Sequence, residues 1–363
     1  MLTTPIRPQL QHRSSATIVA SLTVCLASAG LSLAASGSSS EPAPSIATAL
    51  DFALQADGNA TVAALRKLNP TLLKPVDREL RTCMLGRLER GAVPSSAVDD
   101  SVVAQILSRY QEYWRRSLFK EQSAVSIENG LLDALNTIMQ QTGNTSAATL
   151  SELEPRLEAM LMAHGYHSLL GVTSPLRELM LWRSETPATY NVNLPGGPQT
   201  VVVIFMDDFA SLGWAGFATC DRTHTGGWSN PDRLYAVRSS YDLRSEDFRV
   251  SYLAHEGQHF ADFSRFPKLI AQTDLEYRAK LTELSLANTT LSALLDAFSA
   301  NESDDVNIPH SYANRRVIVN MCKTIRATCR KPIEWRRFPR TALNHAAATL
   351  LIEDTRRLTK FYR

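Results

Sequence analysis

The sequence predicts an α+β protein, largely helical, with a small sheet placed just ahead of a helix that carries two histidines four residues apart. Three observations predict it. Apolar residues recur at three- and four-residue steps through the first half of the chain. Strand-like runs cluster around residues 189–209 and 233–238. Helical spacing then resumes and continues to the end.

The first 46 residues stand apart. Arg7, His12 and Arg13 precede an apolar stretch over residues 16–35, and small residues and the polar run SGSSSEPAPS follow. A basic start, an apolar middle and a small-residue end make a secretory signal over residues 1–35, with cleavage near Ala34 or Ala35 and a linker over 36–46. The chain is therefore expected to be secreted or periplasmic, with no membrane span after cleavage. The alternatives are a membrane anchor, if the signal stays uncleaved, or a lipoprotein acylated at Cys25. The preceding Leu-Thr-Val is a poor fit to the second.

Residues 47–184 read as a helical N-terminal region. Residues 75–91, 99–119, 129–143, 149–163 and 174–183 each carry helical spacing, punctuated by Gly or Pro. Near Glu185 the pattern changes, and residues 185–363 form the second region. Residues 189–194 and 199–209 read as strands around the turn Pro195-Gly196-Gly197-Pro198, with 214–219 and 233–238 as further short strands. Residues 220–232 read as loop. Ser245 can cap a helix that runs through His259 to about Phe263, and Arg265-Phe266-Pro267 breaks it. A second helix follows over residues 270–286.

Composition narrows the function. The net charge of +2 and the lack of like-charge runs give no reason to expect a nucleic-acid partner. Cys83, Cys220, Cys322 and Cys329 follow the signal, enough for two disulfides in an exported chain, with three possible pairings. Cys322 and Cys329 lie about 10 Å apart on a continuous helix, so joining them requires a turn between them.

The chemistry concentrates in His255-Glu256-Gly257-Gln258-His259. Four residues nearly complete a helical turn, so both imidazoles face the same way and can meet one Zn²⁺. Glu256 can reach a water on that ion and take its proton. Tyr252, Leu253, Phe260 and Phe263 supply apolar surroundings, and Gly257 permits close backbone approach.

On these residues the segment 200–290 resembles the zincin metallopeptidases. The branch with a third histidine does not fit, because the extra motif positions hold Asp262 and Arg265. The resemblance is to the gluzincin branch, which takes a Glu from the next helix. It implies Glu276 as third ligand, 17 residues after His259, with Glu283 and then Asp274 as alternatives. Many gluzincins place an Asp four residues after that Glu to orient the first His. Here Lys280 stands there, and Asp262 is the substitute candidate. The resemblance further implies a peptide or protein substrate lying along an edge strand, for which residues 199–209 or 233–238 are candidates. His310 and Tyr312 are candidate donors to the developing oxyanion, and His224 is a weaker one. His164 and His167 read as structural. The expected activity is zinc-dependent peptide hydrolysis. The rival readings are a cell-envelope binding protein with a structural or inactive metal site, and a zinc amidase for a non-peptide substrate.

Overall fold

Five helix starts in the first half of the chain fall where the sequence offers a side-chain oxygen to unpaired backbone N–H groups. In the computed structural model, which describes residues 45–90, 98–230, 232–268, 271–325 and 333–362, Ser45, Asp57, Asp100, Ser123 and Thr149 all accept such bonds. They open α1 (Ile46–Leu54), α2 (Gly58–Lys67), α4 (Ser101–Leu118), α5 (Ala124–Gln141) and α6 (Leu150–Ala163); α3 spans Pro75–Arg90. The expected signal, its Cys25 and nearly all of the linker lie outside the described residues.

The sheet follows: β1 (His167–Thr173), β2 (Leu176–Leu194) and β3 (Gly197–Leu212), then helix α7 (Gly213–Thr219), β4 (Gly227–Ser229) and β5 (Leu234–Val237). Its strand order is β1-β2-β3-β5-β4. β2 and β3 form a long antiparallel hairpin closed where Leu194 pairs with Gly197, at the predicted turn. β5 runs parallel to β3, and β4 returns antiparallel on the outside of β5.

Three expectations about secondary structure are corrected here. Residues 174–183, expected helical, lie mostly in β2. Leu179, Met180, Leu181 and Trp182 are all buried, and a strand buried on both faces has the same unbroken apolar run as a buried helix. Residues 214–219, expected as a strand, form α7 for the same reason: every residue of α7 is buried. Residues 227–229, expected as loop, are β4. The boundary expected between residues 184 and 185 falls inside β2.

The core of the N-terminal helices runs across that boundary. Tyr110 and Trp114 of α4, Leu131 of α5 and Leu153 of α6 share one apolar cluster with Leu179 and Leu181 of β2 and Trp214 and Phe217 of α7. The Trp114 indole donates to the Arg177 carbonyl at 2.8 Å. A disulfide joins Cys83 of α3 to Cys220 at the end of α7. Cys329 lies outside the described residues.

The chain ends in helices: α8 (His255–Arg265), α9 (Gln272–Leu286), α10 (Leu291–Ala300), α11 (Pro309–Thr324) and α12 (Arg340–Phe361). Leu281, Leu284, Val317, Met321, Ala347 and Leu351 knit α9, α11 and α12 into a second core. Val192, Leu194, Phe205 and Ala236 of the sheet pack with Tyr252, Leu253 and Ala254, just ahead of α8, in a third. Among the described residues no helix is long and apolar enough to cross a membrane.

Candidate metal centre

Local structure aims the α8 histidines. Ser245 Oγ accepts from Phe248 N at 3.0 Å, as its capping role requires. A π-helical segment, Phe248–Ala254, then leads directly into His255. The Tyr252 hydroxyl donates to the Tyr235 carbonyl at 2.7 Å, tying this segment to β5. α8 closes at Phe266, and α9 packs back against it, bringing Glu276 over the two imidazoles.

The resulting cluster is compact. His255 Nε2 and His259 Nε2 lie 3.2 Å apart. Glu276 Oε2 is 3.5 Å from His255 Nε2, and Oε1 is 3.3 Å from His259 Nε2. All three residues are 3% exposed or less. A tetrahedral ion with bonds of about 2.0–2.1 Å has neighbouring ligands about 3.3–3.4 Å apart, so these separations suit a zinc-sized ion. The orphaned atoms agree: neither Glu276 oxygen receives an aligned hydrogen bond, although both are buried. His255, His259 and Glu276 could together hold a metal ion.

The outer contacts orient the ligands. His255 Nδ1 donates to Glu283 Oε1 at 2.6 Å, which turns Nε2 toward the cluster. His310, at the start of α11, places Nδ1 2.8 Å from Glu276 Oε2 and is 29% exposed. Glu256 is fully buried. Burial alone would lower the His255 pKa, but Glu283 and Glu276 outweigh it and raise it to about 10. Burial would raise that of Glu276, but His310, His255 and His259 hold it well below the usual carboxylate range.

The structure thus brings together His255, His259, Glu276 and His310, with Glu256 on the same helix. It separates other candidates. Glu283 is no third ligand: it faces the far side of the His255 ring. Asp274 pairs with Arg316 and Arg357. Asp262 does not orient a histidine; it binds Arg278 and Gln258. Tyr312 makes no recorded side-chain contact with the cluster among the described residues. His224 donates Nδ1–H to the Thr225 carbonyl at 3.0 Å. His164 pairs with Asp100 and His167 with Glu185, both in structural roles away from the cluster. β5 pairs with β3 over Val203–Met206 only and itself lies between β3 and β4; β4 is the outermost strand on this side of the sheet. A Cβ on Gly257 would meet Val192 and Leu194 at 3.8 Å, an ordinary contact, so no close approach demands glycine there.

Two imidazoles one helical turn apart and a carboxylate from the following helix define a candidate metal-binding class of site. No family model matches the chain, and no curated protein or solved structure matches it either.

Proposed function

We propose that this chain is a zinc-dependent hydrolase, gluzincin-like, that cleaves peptide bonds. The observation that carries this reading is the convergence of His255 Nε2, His259 Nε2 and the Glu276 carboxylate beside a buried Glu256. Zinc held there supplies Lewis acidity, polarising a carbonyl and making water acidic enough to lose a proton near neutral pH. Glu256 takes that proton as water attacks the carbonyl and passes it to the leaving amine. Glu283 holds the His255 tautomer. His310, part-exposed and with Nδ1 2.8 Å from Glu276 Oε2, is the candidate donor to the developing oxyanion. The outer edge of β4 is where an extended peptide backbone would pair. The Cys83–Cys220 disulfide fits an oxidising compartment, and with the signal-like N-terminus supports a secreted or periplasmic location.

The near-complete burial of all three ligands favours a second reading, a structural metal site in an envelope binding protein. One experiment separates the two. Purified protein is analysed for bound metal and incubated with a broad peptide library, with and without chelator. Under the hydrolase reading Glu256→Gln keeps stoichiometric zinc and loses roughly 10²–10⁴-fold in turnover. Wild-type turnover in that variant removes Glu256 as the base. A zinc-loaded wild type that cleaves nothing in the library supports the structural site.

A further inference from the structure

We infer that Arg278 is the positioning residue of the metal centre, setting the separation between the Glu276 carboxylate and the imidazoles through a buried charge lattice. The inference rests on the metal-centre reading above. Arg278 is 2% exposed and two residues beyond Glu276. Its Nε donates to Asp262 Oδ2 at 2.7 Å and its Nη2 to Asp262 Oδ1 at 2.9 Å. Asp262 is three residues beyond His259. This fork therefore joins the two ligand helices within one turn of the ligands they carry. A second rung lies on the other side: Thr282 Oγ1 donates to Gln258 Oε1 at 2.9 Å, and Gln258 Nε2 donates back to Asp262 Oδ1 at 2.9 Å. On α8 His259 lies between Gln258 and Asp262, and on α9 Glu276 lies two residues ahead of Arg278.

The fork is held from behind. Arg278 Nη1 donates to Asp354 Oδ2 at 3.2 Å and to Thr355 Oγ1 at 3.0 Å, both on α12. Asp354 Oδ1 accepts from Arg316 of α11 at 3.1 Å and from Arg357 at 2.9 Å. Asp274, at the start of α9, accepts from the same two arginines. Three carboxylates and three guanidiniums thus balance across α8, α9, α11 and α12. α11 also carries His310, which contacts Glu276.

Such a lattice is a poor device for stability, since desolvating the charges cancels much of their attraction. It is a good device for geometry. The planar guanidinium accepts one orientation of the Asp262 carboxylate and resists rotation or sliding of α8 against α9. Apolar packing alone tolerates shifts that would open the 3.3 Å gap between His259 and Glu276. The two residues nearest the ligands in this lattice are therefore spent on registering the helices that carry them.

The test measures metal affinity apart from fold stability, in full-length protein. Arg278→Lys keeps the charge and loses the fork. Zn²⁺ affinity is read by competition with a chromophoric chelator, site geometry by the visible spectrum of bound Co²⁺, and stability by melting the metal-free form. Arg278→Lys is expected to melt as a folded protein while Zn²⁺ affinity falls roughly 10–100-fold, as for removal of an outer metal partner, and the Co²⁺ bands shift. Wild-type affinity and spectrum in a folded Arg278→Lys overturn the inference. If that variant does not fold, Asp262→Asn replaces it, weakening the fork from its other end. Unchanged affinity there overturns the inference equally. A wild type that binds neither ion defeats the metal-centre reading itself and is seen before any variant is made.

Discussion

Glu178 and Glu276 are equally buried, each 1% exposed, yet they respond to burial in opposite directions. Glu178 sits where β2 meets α7. It accepts from the Leu179 and Trp214 backbone N–H groups at 3.0 Å each and from the Thr173 hydroxyl. Its partners are all neutral. Burial dominates them and pushes its pKa up to about 7. The carboxylate also fills the space a side chain would need at Gly213, whose φ is +80°: a Cβ there would overlap Glu178 Oε1. Glu276 faces three imidazoles instead, and its carboxyl is held well below the usual range. Desolvation is the same in both places, so the neighbours decide the sign. A carboxylate walled in by neutral donors shapes a junction. One ringed by imidazoles stays charged and is ready for a cation.

The largest effect that would sharpen this contrast comes from Glu276→Gln. It removes the negative charge at the centre and is expected to weaken Zn²⁺ binding by more than the roughly 10–100-fold typical of an outer partner. A competition titration that finds wild-type affinity would break the comparison. Next is Glu283→Gln, which leaves the three ligands but weakens the acceptor for His255 Nδ1. Affinity should fall within that roughly 10–100-fold range. A loss as large as that of Glu276→Gln would erase the distinction between ligand and orienting carboxylate. The smallest effect lies at the other carboxylate. The folded pKa of Glu178 lies above its usual value of 4.5, so the stability it contributes is complete below that value and drains away as pH rises through about 7. Glu178→Gln should flatten this part of a melting-temperature profile while leaving zinc affinity unchanged. A profile identical to wild type would show that Glu178 does not titrate there.

The sequence made the α8 pair legible because four-residue spacing has one meaning on a helix. Glu276 came through the resemblance to gluzincins. Glu283 was visible too, on nearly the same face of α9, but spacing could not say which side of the His255 ring it would meet. Asp262 was noticed as one turn beyond His259, yet its true partner Arg278 lies on another helix, a pairing that no local pattern encodes. β4 was missed because three residues carry too little alternation to read. The run now in β2 was misread as helix because burial on both faces erases the period that separates strand from helix. Local rules located the two histidines of α8; long-range pairing decided what surrounds them.

The Cys83–Cys220 bond has a consequence for survival under proteolysis. It closes a covalent ring between cysteines 137 positions apart, which contains α4, α5, α6 and the whole β2–β3 hairpin, while α8 and α9 lie beyond it. A single cut anywhere inside the ring opens the loop without releasing a fragment, so both pieces migrate together on a gel until a reductant is added. A cut after Cys220 falls outside this ring.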